Sequence, residues 1–426
     1  MQNNLLLQKK TENSFLNHFL LYLLMGVSSM PILFGNEYLI VGFFLSMLIF
    51  IGKGKRFDRV IVSYNLVFLA LFGLHVLAYD KFILSIIVAY FMRIYFAYFT
   101  VKIIGSQIDR YIVNQIYFFS VISLIVTGLI FANPGLADYI FANITPWFDK
   151  ITIFQPNRQH FIIYTMELGW KVEIPRNSGP FWEPGGFSVF LFIALTFNIV
   201  RNKKFFNKKN IIFLIAILTT QSTTAYLAFF IFICIYILIS YRSIYSFILM
   251  PLLIFIFLNL YSRLDFMEEK VNKMYSDSKK AGTEKVYSRI VSGQINLNNF
   301  FSSPIFGIGR FFQVSDEENT GNNGTTLLLA EFGLVGFSYY FLMMFLSYRA
   351  YCRKHKFNTL FPFAILAGML VLGYSQGLFQ KPFFMALCFM FLVRFDNHTF
   401  WAKEPIRRRV PLLRSQGKLV ENLEQA

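Results

Sequence analysis

The stretch PRNSGPFWEPGG (175–186) holds Arg176 and Glu183 seven residues apart, among prolines and glycines, just before a long apolar run. A guanidinium keeps its charge and offers a planar fork of donors that fits phosphate oxygens. A carboxyl group next to aromatics such as Trp182 is a tunable proton acceptor, because burial raises its pKa and a nearby guanidinium offsets that rise. Glu183 has a second reading as an acceptor for the backbone N–H groups that open a helix. Pro184 suits the first turn of that helix, where a missing N–H costs nothing. On the sequence both readings of Glu183 stand.

Further candidates lie in two long connectors, roughly 132–181 and 261–325, which hold Arg158, Arg176, Arg263, Arg289 and Arg310. Fixed arginines at a bilayer edge point to an anionic ligand, and a lipid-linked phosphate is the natural one there. Arg263 is read instead as a salt-bridge partner of Asp265 or Glu268. Arg176 and Arg289 sit beside structural punctuation and are taken as functional. In SPIFGIGRFF (303–312), Pro304 ends a helix, while Gly307 and Gly309 permit the unusual backbone that holds Arg310. Asn322 and Asn323 come just before the next apolar run, and Glu331 lies one or two turns inside it. A carboxylate in a span is expensive, so Glu331 is either a site residue or the mate of a buried arginine. Arg93, mid-span, either snorkels outward or faces a cavity. His160 is a lone histidine, more often a surface residue than a catalyst, and with no Cys or second His near it no metal site is expected.

These residues need a scaffold, and composition says which kind. The 426 residues are 56% hydrophobic and 15% charged, more apolar surface than soluble cores of this size can hide. The net charge of +17 falls in short basic clusters between apolar runs, the pattern of membrane topology and not of nucleic-acid binding. The excess of aromatics suits surfaces facing lipid. Three cysteines form no CxxC pair or disulfide framework. Candidate spans are 15–34, 37–51, 60–79, 82–101, 111–132, 182–200, 211–222, 224–240, 244–260, 326–347, 358–375 and 383–396. The polar run TTQSTTAY (219–226) divides the seventh from the eighth and must be packed in protein or line a wet cavity.

The first apolar run follows lysines and has no small-residue cleavage site, so it reads as a retained helix. With a cytoplasmic N-terminus, the inner connectors carry GKGKRFDR, Lys102 with Arg110, RNKKFFNKK, Arg242 and RAYCRKHK, while the short outer ones carry only Lys81 and Lys381. Both termini are thus expected inside, and the two long connectors outside. The expected class is an all-α polytopic integral membrane protein with about twelve spans and a large helical outer loop. One membrane domain covers 1–402, and 403–426 forms a basic, polar cytoplasmic tail. The outer loop contains a predicted helix at 283–303, with Thr283 as N-cap, Val286 and Ile290 on one apolar side and Pro304 as its stop.

Four motifs carry a family resemblance: RNSGPFWEPGGFSVFL before one span, TTQSTTAYLAFF at a broken helix pair, YSRIVSGQINL…SSPIFGIG in the large outer loop, and TLLLAEFGLVG opening the next span. In order and spacing, over about 110–395, the chain resembles the superfamily of O-antigen ligases and Wzy-type polysaccharide polymerases. The resemblance implies a GT-C-like, metal-independent glycosyltransferase of the bacterial inner membrane, acting at the periplasmic face without a cofactor. It implies a substrate carried on undecaprenyl pyrophosphate, with a flippase and a chain-length regulator as protein partners. Arg176 and Arg289 match the arginines that engage the pyrophosphate in similar proteins. Glu183 matches the acid of an F-x-E-P element found in polymerases, and Arg158, His160, Arg310, Asn323 and Glu331 complete the expected substrate-binding set. Ligases carry a histidine before the span that starts near 326, where this chain has GNNGTT and no histidine between His160 and His355. A polymerase of O-antigen, capsule or exopolysaccharide is therefore the expected function. The alternatives are a ligase onto lipid A core, a polysaccharide or ion transporter, for which the charges lie too far from the midplane, and a rod-shape-type peptidoglycan polymerase, whose motifs are not recognisable.

Overall fold

The computed structural model describes residues 14–148, 158–167, 175–240, 251, 252, 255, 289–310 and 323–393. Helices α1 (Ser14–Ser29), α2 (Asn36–Gly52) and α3 (Arg59–Tyr79) come first. Helix α4 (Leu84–Ile104) turns at Gly105, φ +70°, into α5 (Ile108–Ala132). Next come α6 (Pro134–Asn143) and an antiparallel hairpin of β1 (Arg158–Phe161) and β2 (Tyr164–Glu167). The second half comprises α7 (Pro184–Asn202), α8 (Lys208–Thr219), α9 (Thr223–Ser240), α10 (Arg289–Ser302), α11 (Gly324–Lys354), α12 (Phe361–Tyr374) and α13 (Pro382–Leu387).

The protein is an all-α polytopic membrane protein. Helix α3, the α4–α5 run, α7 and α11 are long and apolar enough to cross a bilayer, and α1, α2, α9 and α12 are shorter apolar helices. Ten of the expected spans coincide with helices to within a few residues. The segment 244–260 lies outside the described residues apart from 251, 252 and 255, and the expected tail, 403–426, lies wholly outside them.

Burial orders the bundle. Helix α7 has 94% of its apolar window inside protein, against 33% for α3 and 39% for α4–α5. The segment after Glu183 therefore enters protein and not lipid. The aromatic excess goes partly the same way: Phe181 stacks on Phe190 at 4.4 Å, and Phe190 meets Phe383 at 4.8 Å, all buried.

The expected span 383–396 is a six-residue helix followed by a 3-10 turn at Met390–Leu392, with 394–396 outside the described residues. This stretch is buried in the bundle, where hydroxyl groups take its backbone donors. Phe383 N donates to Ser28 Oγ at 2.8 Å and Phe391 N to Ser347 Oγ at 3.1 Å. A broken helix is tolerable at that depth because protein, not lipid, satisfies it.

Helix α11 also breaks. Gly333 has φ 58° and ψ −167°, a conformation open in practice only to glycine. The bonds expected from Leu334 and Val335 N–H to the carbonyls of Ala330 and Glu331 are exchanged for bonds to the loop after α10. Leu334 N donates to Pro304 O at 2.9 Å and Val335 N to Ile305 O at 3.1 Å. In return, Ile308 N donates to Ala330 O at 2.9 Å and Gly309 N to Glu331 O at 3.0 Å. Pro304 does stop α10, as its sequence position requires, and the loop beyond it then completes α11. A Cβ at Gly333 would fall 2.4 Å from Ile305 O. Gly333→Ala is expected to cost about 2–5 kcal/mol and to lower the Tm of the detergent-purified protein. Gly128→Ala, whose Cβ meets nothing within 4 Å, should leave Tm unchanged or slightly higher. Equal Tm changes in the two variants would contradict the break.

Candidate functional site

The loop before α7 is tied to a second helix break. Helix α8 ends at Thr219, and Gln221 adopts φ 47°, which leaves carbonyls without helical donors. Arg176 Nε donates to Thr220 O at 3.3 Å and its Nη2 to Gln221 O at 3.4 Å. Asn177 N donates to Thr219 O at 2.9 Å, and its side-chain amide to Thr219 Oγ1 at 3.0 Å and Ser123 Oγ at 3.1 Å. A guanidinium at this point also meets the negative end of the α8 dipole. The polar run TTQSTTAY is thus packed in protein, one of the two conditions set for it. The hairpin closes over the same loop, with Thr165 N donating to Gly179 O at 2.8 Å.

At the loop's other end, Glu183 precedes α7 in an extended conformation and makes no capping bond from its side chain, so the helix-cap reading is corrected. Its Oε1 lies 3.0 Å from Arg289 Nη2 and also accepts from Gln376 Nε2. The pair is mostly shielded, with 13% of the Glu183 side chain and 25% of that of Arg289 exposed. Arg289 lies in the first described turn of α10, and one turn on, Gly293 lets that helix approach its neighbours closely. A Cβ there would stand 3.0 Å from both Asn323 Nδ2 and Tyr374 Oη. Gln376 O accepts from Gly324 N at 3.1 Å, which fixes the amide-bearing residue against the start of α11.

A second group surrounds Glu331, 1% exposed, just ahead of the α11 break. Arg310 Nε is 3.5 Å from its Oε1, and Gln380 Nε2 donates to its Oε2. Glu331 thus has an arginine partner, as one of its two readings requires. Arg310 also lies over the Tyr90 ring at 5.8 Å. Arg93, half-buried on α4, lies within electrostatic reach of Arg310 and Glu331, in line with the cavity-facing reading. Lys381, half-buried, has its Nζ 4.0 Å from the Phe34 ring centroid.

The structure thus brings Arg289 to Glu183 and Arg310 to Glu331, and anchors Arg176 on the α8–α9 break. Asn323 caps α11 by accepting from Thr326 N at 3.2 Å, while its buried Nδ2 has no hydrogen-bond partner. His160 is buried in the hairpin, where Nδ1 is 3.0 Å from Thr165 Oγ1, and not at the surface expected of a lone histidine. Arg158 pairs across the hairpin with Glu167, and its side chain lies outside the described part. Arg263, Asn322, Thr283 and Val286 also lie outside the described residues. The sequence reading missed Gln376 and Gln380 and used Lys381 only to mark topology. The only signal was a pair of amides and a lysine within SQGLFQK, a connector too short for ordinary loop function. Among the described residues, no three His, Cys, Asp or Glu side chains converge as a metal site.

An apolar helical bundle whose charged side chains collect at helix breaks defines a membrane protein with an interior polar site. Residues 210–341 match the family model Wzy_C, O-Antigen ligase, a stretch that takes in α8, α9, α10 and the break in α11. Over that stretch the chain is similar to the O-antigen ligase and Wzy-type superfamily, whose members are in general glycosyl-transferring enzymes. No curated protein and no solved structure matches it.

If the Glu183–Arg289 contact is a working ion pair, Glu183→Gln and Arg289→Gln should be coupled by about 1–3 kcal/mol in a double-mutant cycle on unfolding. Additive effects would show that the contact carries no energy.

Proposed function

We propose that the chain is a polysaccharide polymerase that joins oligosaccharide repeats carried on undecaprenyl pyrophosphate at the outer face of the membrane. The observation that carries this reading is the contact of Arg289 with Glu183: a fixed cation and a carboxylate held together at the buried end of the central helix. In the proposed reaction the acceptor hydroxyl oxygen forms a bond to the anomeric carbon of the donor sugar, and the bond from that carbon to the pyrophosphate oxygen breaks. The hydroxyl proton passes to Glu183, and the pyrophosphate leaves with its charge taken up by Arg289 and Arg176. Arg289 enters this step paired, so a diphosphate that takes its guanidinium uncovers Glu183 for the proton. The arginines act here as preorganised counter-charges, and the step invokes no divalent ion. Direct attack of this kind inverts the anomeric centre.

The proposed topology follows the charges. Glu183 and Arg201 stand at opposite ends of α7, 18 residues or about 27 Å apart. The Arg201 end gathers Lys203, Lys204, Lys208 and Lys209. Basic connectors favour the cytoplasm, so the Glu183 end faces the periplasm or exterior, with both termini inside.

A second reading is a ligase transferring the finished glycan to lipid A core, which the description of the matching family favours. Against it, GNNGTT (321–326) spans the start of α11, with no histidine from 161 to 354. Arg176→Ala and Arg289→Ala are each expected to reduce elongation at least about 100-fold, with single repeats still reaching the surface lipid. The readout is glycan length on gels of a complemented deletion strain. Chains of normal length in both variants would refute the assignment, and long glycan left on its lipid in the deletion strain would favour the ligase.

A further inference from the structure

We propose that Arg93, Arg310 and Lys381, arranged around Glu331, form a second oxyanion-binding subsite apart from the one assigned to Arg176 and Arg289. Among the described residues, Arg93, Arg310 and protonated Lys381 stand around one carboxylate, an excess of two positive charges with Glu331 ionised. That carboxylate is already engaged on both oxygens, by Arg310 on one and Gln380 on the other. Among the described residues no carboxylate lies within ion-pair distance of Arg93 or Lys381. The aromatic faces of Tyr90 and Phe34 steady Arg310 and Lys381 but bring no compensating charge. Uncompensated like charges inside a bundle are costly, and an oxyanion between them removes the cost. Arg93 and Lys381 each keep part of their surface accessible.

Burial, with repulsion from Arg93 and Arg310, lowers the Lys381 pKa to about 7. The ionisable groups facing it are Arg93 on α4, Arg310 on the loop after α10 and, behind Arg310, Glu331 on α11. Helix α1, which also packs on α13, carries no Asp, Glu, Lys or Arg.

The connector 375–381 joins the two subsites, since Gln376 reaches Glu183 while Gln380 and Lys381 belong to the Glu331 group. Positions 376 and 381 are at most about 18 Å apart even on an extended chain. This spacing fits a reaction between two lipid-linked diphosphates, one as donor and one as acceptor, and to that extent the inference rests on the polymerase reading. The same charges also suit the carboxylate of an acidic sugar, so the class assigned is an oxyanion from either source.

The test is calorimetric titration of the full chain in nanodiscs with inorganic pyrophosphate, and separately with glucuronate. Wild type is expected to bind two equivalents of pyrophosphate. Lys381→Met and Arg93→Gln should each weaken one equivalent at least tenfold and leave the other, whereas Arg176→Ala should weaken the other. Saturation by pyrophosphate assigns the lipid diphosphate, and saturation by glucuronate alone assigns the acidic sugar. Affinity at this subsite should fall from pH 6 to 8 as Lys381 loses its proton, and Lys381→Arg should keep the binding while removing that fall. Lys381→Met should melt no lower than wild type without anion but lose the stabilisation that pyrophosphate confers. A merely structural lysine would instead lower Tm and leave the anion response intact. A single equivalent in wild type, or no response to Lys381→Met and Arg93→Gln, would overturn the proposal. Failure here with Arg176→Ala and Arg289→Ala still blocking elongation would leave the polymerase reading standing.

Discussion

A helix that stops inside an apolar bundle leaves amide and carbonyl groups that neither lipid nor an absent next turn can bond, at a cost of several kcal/mol each. Most of this site follows from how three such breaks are repaired. The α8–α9 break is closed by Arg176 and Asn177, and the break at Gly333 by the loop running from Pro304 to Gly309. The gap between α12 and α13 is spanned by the connector that supplies Gln376, Gln380 and Lys381. Each repairing segment carries, or directly precedes, a charged or amide side chain of the site: Arg176 in the first, Arg310 after the second, two glutamines and a lysine in the third. An exposed ion pair contributes only about 0–1 kcal/mol. The backbone repairs therefore set the positions, and the charges exploit them.

This division explains why the buried carboxylates sit where they do. Glu183 lies at the first turn of the most deeply buried helix, and Glu331 just ahead of the Gly333 break, each met by an arginine from the loop-and-helix segment 289–310. At the other end of α7, Asp109 is held by Arg201 at 2.7 Å and by the Tyr351 hydroxyl at 2.9 Å. That contact ties α5, α7 and α11 together through one carboxylate oxygen, as a structural lock would. Among the described residues, the group around Glu331 differs in gathering more cations than carboxylates, while Glu183 is matched one to one by Arg289.

Much of the scaffold was legible in the sequence because span lengths, proline stops and basic clusters are local signals. Pro304 ends α10, TTQSTTAY marks a true break, and Glu331 does have a buried arginine. Other features were hidden because they depend on contacts far apart in the chain. Gln376 and Gln380 carry no charge anomaly, and only the approach of α7 and α11 gives them carboxylates to bind. Whether Glu183 capped its helix or reached across the bundle depended on where α10 would lie. The 383–396 run looked like a span because hydropathy cannot see Ser28 and Ser347, which let it end early. His160 looked like a surface residue because nothing local announces the hairpin that buries it.

The most direct test of this account is a cryo-electron microscopy structure of the full chain in nanodiscs with undecaprenyl pyrophosphate. The account predicts diphosphate density at the repaired breaks, in contact with Arg176 and Arg289 and with Arg289 drawn from Glu183. Density on the lipid-facing surface, or at the Asp109–Arg201 end of α7, with the Arg289–Glu183 contact unchanged, would contradict it.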